Sequence, residues 1–504
     1  MSAKHYRTSA RVLLAALFVV CIYRAFTQSI TFDEALTWDL YIKGPVSQLF
    51  HLYRANHHFL NSVLMRISAG IFGVSEWSMR LPALAGAALY FAACYRLARF
   101  AFGDSFSMLL AVLLLSLNPL VLDFMVAARG YGQALGLLIF AMAILLREIS
   151  RQTYSPKAMA AAGALLALSV TANLIFVLPA AALASVTLYF VTRRRPADTA
   201  APTPPPTRKK KKAPVIKPSK PGLSPAAAFM IPIAAIAILF LSAAPFESMQ
   251  SEHFYAGAGT IQASLRSLST SSLQHSGPLR HQPWVAVWSD AIGLCIMPLV
   301  LIGGLAAGIL KRNILLILSA GAAVFSAIVS LLIHVLLNVA YPADRTGIYY
   351  LPLAALTLVS LAYIGSGAHG FRRAASIAAY ALAIALVVHF ATEFNTRKFL
   401  VWEYDADSRP LADYIAAHRP KNVEVVRVGG SWQLQESLKF YATLQNWTWV
   451  ELRSEAPVAG LEYYAFLPWE RHFEKQLGLT EVYNGRVSGS VLAQPPSLVA
   501  NSAR

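Results

Sequence analysis

Residues 29–38 read Ser-Ile-Thr-Phe-Asp-Glu-Ala-Leu-Thr-Trp, and they follow directly on an apolar run, residues 12–23, that is long enough to enter a bilayer. Asp33 and Glu34 are thus two adjacent carboxylates at a membrane boundary. Either they mark where water begins or they do chemistry there. The composition outside the stretch decides the setting. The chain has 504 residues, of which 56% are hydrophobic and only 13% charged, and its mean hydropathy is +0.51. A soluble protein would carry about a quarter charged residues. Here the few charges collect between apolar blocks of near-spanning length, so the chain reads as a polytopic α-helical membrane protein.

A span needs about 20 apolar residues. Eleven candidates follow: 11–28, 81–100, 105–123, 130–147, 157–172, 174–192, 225–244, 284–310, 313–337, 347–365 and 374–393. With a cytoplasmic N-terminus, every inside connection receives positive charge: Arg96 and Arg99, then Arg147, Arg151 and Lys157, then a basic linker at 193–224, Lys311 and Arg312, and Arg372 and Arg373. Lys4, Arg7 and Arg11 before the first apolar run resemble a signal peptide, but no small-x-small cleavage site follows, so an uncleaved first helix is expected.

The formal charge of +18 invites a nucleic-acid reading, which its placement excludes. Ten basic residues against one acid, Asp198, lie between Arg193 and Lys220, and they account for half of the net charge. Such a Pro- and Lys-rich segment reads as a disordered loop lying against anionic headgroups. Cys21, Cys94 and Cys295 all fall in apolar runs without ligand spacing and are expected to be buried, inert thiols.

The first outer loop, 29–80, is longer than a connector needs, and long loops in compact proteins tend to be functional. Within it, Leu60, Val63, Leu64, Ile67 and Ile71 recur at helical spacing and predict a helix along the membrane surface. The outer side also holds Arg54, Arg66, Arg80, Arg129 and Arg345, against the topology bias, so something there should want positive charge. A second polar outer loop, 246–283, carries Glu247, Glu252, His253, His275, Arg280 and His281, and no chemistry is fixed by them. Residues 1–394 therefore form a transmembrane domain. In 395–504 the alternating NVEVVRV and WTWVEL read as strands, and RPLADYIAAH and SWQLQESLKFYATL as amphipathic helices, predicting a small extracytoplasmic α/β domain.

The acidic pair after the first span, then NHHFLNSVLMRISAGIFGVSEWSMRLPALAGA, then NPLVLDFMVAARGYGQALGLL, resembles the GT-C superfamily of membrane glycosyltransferases. Within it the resemblance is to the protein O-mannosyltransferase and lipid A aminoarabinose-transferase branch, and it covers about residues 12–150. It implies transfer of a sugar from a polyprenyl-phosphate carrier to a lipid, glycan or protein acceptor on the outer face of the cell (inner) membrane, with inversion. One-step displacement needs a base for the acceptor hydroxyl, which assigns Asp33, with Glu34 orienting the acceptor or holding the local field. The leaving phosphate needs a planar cation, which points to Arg129 in AARGYG and Arg345 in YPADRTGIYYLP, with Tyr131 as a further hydrogen-bonding group.

His57 and His58 stand where many relatives show a His followed by prolines, so one of them is expected to line the substrate cleft. Relatives often place an acid just before the Arg-x-Tyr. Here Ala127 and Ala128 precede it, and Asp123 is the candidate to replace that acid. A divalent ion could bridge carboxylates and phosphate, but no second acidic partner stands at diagnostic spacing, so the expectation is a reaction without metal or other cofactor. The rival class is a multi-pass transporter or flippase. Transporters need polar or broken helices near the midplane, whereas these spans are Ala-, Leu- and Ile-rich with charges at their ends.

Overall fold

The structure, a computed structural model, describes residues 2–193, 223–249, 257–273, 282–420, 423–453 and 458–502. Positions 194–222 of the basic linker lie outside these residues, as do Glu252, His253, His275, Arg280 and His281 of the second polar loop.

The chain opens with α1 (Ala3–Thr27) and continues through α2 (Phe32–Tyr41) and α3 (Phe59–Phe72) into α4 (Glu76–Phe102), α5 (Phe106–Leu117) and α6 (Pro119–Phe124). Next come α7 (Gly130–Arg151), α8 (Pro156–Ala172), α9 (Val177–Thr192), α10 (Pro225–Ala243), α11 (Ile261–Leu273) and α12 (Pro283–Ala291). A π-helical turn, Ile292–Ile296, carries α12 into α13 (Met297–Lys311), followed by α14 (Ile314–Leu337), α15 (Tyr350–Gly365) and α16 (Phe371–Thr392). All eleven segments expected to span are helical. Among the described residues, eight helices are long and apolar enough to cross a membrane, while α5, α8 and α15 are shorter.

The expected span at 105–123 is broken. Asn118 caps α6 by accepting from the Val121 amide at 3.2 Å, and Pro119, which has no amide proton to donate, starts the new helix. The bundle packs closely where side chains vanish: a Cβ on Gly136 of α7 would stand 2.6 Å from the Gly86 carbonyl of α4. Outward faces stay apolar, with Leu310, Val335, Leu336 and, on α3, Ile67 and Ile71 exposed, as lipid contact requires. Cys21 and Cys94 are buried, but Cys295 is exposed, because it lies on the same outward apolar face as Leu299 and Ile302.

The C-terminal part builds α17 (Ser408–Ala417), β1 (Val426–Gly430), α18 (Trp432–Leu444), β2 (Val450–Leu452), β3 (Tyr463–Phe466), β4 (Thr480–Asn484) and β5 (Val491–Gln494). The sheet order is β2-β1-β3-β5-β4; β1 pairs parallel with β2 and β3, and β5 pairs antiparallel with β3 and β4. Its packing does not stop at residue 395. One apolar core holds Ile30, Trp38 and Tyr41 of the first long loop together with Leu411, Leu438 and Phe440. Trp38 meets Phe440 edge-on at 5.2 Å, so α18 lies directly on α2.

Candidate functional site

Thr31 and Glu34 start α2 with a reciprocal capping box. The Glu34 amide donates to Thr31 Oγ1 at 3.3 Å, and the Thr31 amide donates to Glu34 Oε2 at 2.9 Å. Glu34 does more: Arg80 of α4 grips it with both arms of its fork, Nε to Oε1 at 2.9 Å and Nη2 to Oε2 at 2.7 Å. The Ala128 amide adds a further bond to Oε1 at 2.6 Å. Both side chains are fully buried. Burial alone would raise the Glu34 pKa, but Arg80 and these amides hold it below the usual carboxylate range. Arg80 also donates to the carbonyls of Gln28 at 2.8 Å and Ser29 at 2.7 Å, closing the end of α1. Glu34 is therefore a saturated structural ion pair. Of the two roles expected for it, orienting an acceptor would need an oxygen that Arg80 and the amides leave free, and both are taken.

Asp33, one residue earlier, points elsewhere. Its Oδ2 lies 3.6 Å from Arg129 Nη2 and 3.5 Å from Arg345 Nη2, is shut off from solvent, and is hydrogen-bonded by neither guanidinium. Burial pushes its pKa up, and the charges of Arg129 and Arg345, helped by the side chains of Asn56 and Trp402, overcome that and hold it low. Arg129 is buried, donates to Thr37 Oγ1 at 3.2 Å, and keeps its Nε without a hydrogen bond. It sits flush in the wall because Gly130 follows it: a Cβ there would lie 1.8 Å from the Ala172 carbonyl of α8. Arg345 comes from the 3₁₀ turn Asp344–Gly347 before α15 and packs its guanidinium 5.6 Å from the Trp402 ring centre.

Both arginines line a cavity of about 330 Å³, together with His57, His58, Tyr131, Asn56 and Asn173. Asp33 is not part of the lining; it stands behind the arginines. His58 packs against Tyr131 with ring centroids 5.1 Å apart, and its Nε2 is buried without a hydrogen bond. Burial first, then the positive charge of Arg129, pushes its pKa well down, so it faces the cavity as a neutral imidazole. His57 is fixed instead. It stacks on Tyr41 at 4.1 Å, its Nε2 lies 3.0 Å from the Leu49 carbonyl, and burial pushes its pKa down to about 4. The cleft therefore takes both histidines, but only His58 has a free nitrogen.

Asp123 is not in the cleft. Arg24 of α1 donates to its Oδ1 at 2.6 Å and the Leu400 amide to its Oδ2 at 2.6 Å, so it joins α1, α6 and the segment after α16. That segment is a strap behind the site. Phe399 lies against the guanidiniums of Arg24 and Arg80 at 4.9 and 5.2 Å. Further along, Trp402 backs Arg345, and Asp405 Oδ2 accepts from the Phe32 amide at 2.6 Å. Burial raises the Asp405 pKa to about 8. Sequence reasoning noted Arg80 only as one of several outer-edge cations, without its partner, and missed Arg24, Trp402 and Asp405. A signal existed for one contact only: Thr31-x-x-Glu34 is the capping-box pattern, which commits Glu34 to its own helix. Among the described residues no three His, Cys, Asp or Glu side chains converge as a metal cage.

Residues 56–202, which hold His57, His58, Arg129 and Tyr131, match the family model described as dolichyl-phosphate-mannose-protein mannosyltransferase. No curated protein matches the chain in sequence. Among solved structures, ArnT from Cupriavidus metallidurans in the apo state is similar at 12% identity and a TM-score of 0.50, over 97% of this chain and 99% of that one. The same protein bound to undecaprenyl phosphate gives 14% identity and a TM-score of 0.46 over 97% and 99%. The archaeal oligosaccharyltransferase AglB from Archaeoglobus fulgidus gives 12% and 0.39 over 92% and 69%. The family match and the fold shared with apo ArnT support the GT-C resemblance read from the sequence.

Proposed function

We propose that this multi-pass membrane protein is a glycosyltransferase that moves a sugar from a polyprenyl-phosphate carrier to an acceptor hydroxyl, with inversion, on the outer face of the membrane. One observation carries the reading: two arginines of a cavity wall converge on a single buried carboxylate oxygen that neither hydrogen-bonds. A carboxylate kept for structure would be saturated, as Glu34 is. Asp33 instead gives the two guanidiniums, from behind, the kind of anionic oxygen that a phosphate in the cavity would offer them from the front. The matched family, described as dolichyl-phosphate-mannose-protein mannosyltransferase, has a lipid phosphate in its name, which supports a lipid phosphate in the cavity.

The step follows from those positions. The carrier phosphate enters the cavity and draws Arg129 and Arg345 from Asp33 to its own oxygens. Asp33 Oδ2, relieved of its counter-ions, becomes a stronger base and takes the proton of the acceptor hydroxyl. The acceptor oxygen then bonds to the anomeric carbon as the bond from that carbon to the phosphate oxygen breaks. Polyprenyl phosphate leaves with the electron pair, its growing charge held by the two guanidiniums. Tyr131 and the neutral His58 offer hydrogen bonds to the sugar from the same wall. Two arginines already bring the positive charge that a divalent ion would add, so transfer should persist in a chelator.

The reading is tested with protein in liposomes and a polyprenyl-phosphate sugar. Asp33→Asn should abolish transfer at unchanged expression. Unchanged transfer would remove the base assignment, and absence of any lipid-linked sugar change in cells lacking the protein would remove the reaction.

A further inference from the structure

The sheet ends at an edge strand, β2, and between that strand and α18 opens a groove of about 540 Å³, separate from the arginine cavity. Gln435, Glu436, Lys439 and Thr443 line it at helical spacing from α18, and Trp447 and the aliphatic side chains of β2 form the facing wall. Trp447 stacks on Trp449 with centroids 5.0 Å apart and planes at 28°, giving a half-exposed aromatic rim.

Two polar side chains of the groove keep atoms without a hydrogen bond. Gln435 is only 5% exposed, and both of its amide atoms are shut off from solvent without a hydrogen bond. Glu436 Oε2 is likewise unbonded, with Lys439 Nζ 3.9 Å away, beyond hydrogen-bonding reach. Unpaired buried groups cost stability that a bound partner would recover. The partner must both donate and accept, because an amide presents both and a carboxylate only accepts. It must also offer an apolar face to an indole. Hydroxyl groups arrayed around a ring with C–H faces meet all three requirements. Lys439, the cation of the groove, is held by Asp39 at 2.6 Å and so is not open to pair with an anion, which favours a neutral ligand.

We infer that this groove binds a neutral oligosaccharide, the non-reacting part of a glycan acceptor. Its placement suits that role. Lys439 reaches from the groove to Asp39 at 2.6 Å, and Asp39 lies on α2 roughly 9 Å of helix rise from Asp33. The acceptor role rests on the transferase reading, whereas oligosaccharide binding does not.

The test uses the full-length protein in nanodiscs, titrated by tryptophan fluorescence and calorimetry with malto-, manno- and galacto-oligosaccharide series. At least one series should bind. Trp447→Ala and Gln435→Leu should each weaken it by about tenfold or more, Trp447→Phe should keep most of the affinity, and all three should melt as the wild type does. Asp33→Asn should bind as the wild type does, so an inactive transferase leaves this result readable. The proposal is overturned if no series binds, if Trp447→Ala and Gln435→Leu bind as tightly as the wild type, or if the groove takes extended peptides along β2 instead.

Discussion

Asp33 and Glu34 share the first turn of α2 and live in opposite surroundings. Around Glu34 every contact is closed: Arg80 in bidentate grip, two backbone amides, full burial. Around Asp33 the contacts are looser, with two guanidiniums at 3.5 and 3.6 Å and an oxygen that neither of them hydrogen-bonds. A saturated buried pair holds a fold in one arrangement. An unsaturated one leaves its members able to exchange partners, at a cost in stability, and such costs concentrate where a ligand will enter. The two acids thus set a closed ion pair beside an open one within a single helical turn, and the proposed chemistry falls on the open one.

The largest effect expected on this contrast is catalytic. Asp33→Asn should lower transfer by about 10²–10⁴-fold, the usual contribution of a positioned base, and turnover assays with saturating lipid donor measure it. Next comes stability at the neighbouring acid. Glu34→Ala strands Arg80 in the bundle and should cost roughly 3–5 kcal/mol, read as a lower melting temperature. Glu34→Ala with Arg80→Met should recover part of that loss. If Glu34→Ala melted normally and only lost activity, the division of labour would be reversed.

Arg129→Lys and Arg345→Lys keep the charge but lose the fork. Each should raise the half-saturating concentration of lipid donor about tenfold, the equivalent of one weakened charge-assisted bond of ~1.5 kcal/mol, with a smaller change in turnover. The smallest effect is one of pH. His57 stays neutral in the fold down to about pH 4, whereas an unfolded histidine takes up a proton near 6.5. The unfolded chain therefore gains protons first, so stability present above about pH 6.5 declines as the pH falls towards 4. His57→Phe, which preserves the stack on Tyr41, should flatten the melting temperature across that window.

Much of this was legible in the sequence for reasons that are local. Apolar runs of spanning length find each other only as bilayer helices, and cations at the wrong edge of a membrane announce a partner, which is how Arg129 and Arg345 stood out. That Arg80 belongs to Glu34, 46 residues away, and Arg24 to Asp123, 99 residues away, was not legible, because a lone arginine at a helix end reads the same whether it meets lipid or a buried acid. The strands β3 and β5 escaped for a different reason. Every residue in both is buried, so neither shows the alternation that marks β-structure in a sequence. The strap from Phe399 to Asp405 has no pattern of its own; only the packing of Trp402 on Arg345 and of Asp405 on the Phe32 amide reveals it.

In the proposed reaction Asp33 holds the two arginines until a lipid phosphate replaces it as their counter-ion. The affinity of Asp33→Asn for polyprenyl phosphate without sugar tests that directly. Removing the competing carboxylate should tighten binding above the wild type even as transfer is lost; weaker binding in Asp33→Asn, or tighter binding with transfer intact, would contradict it.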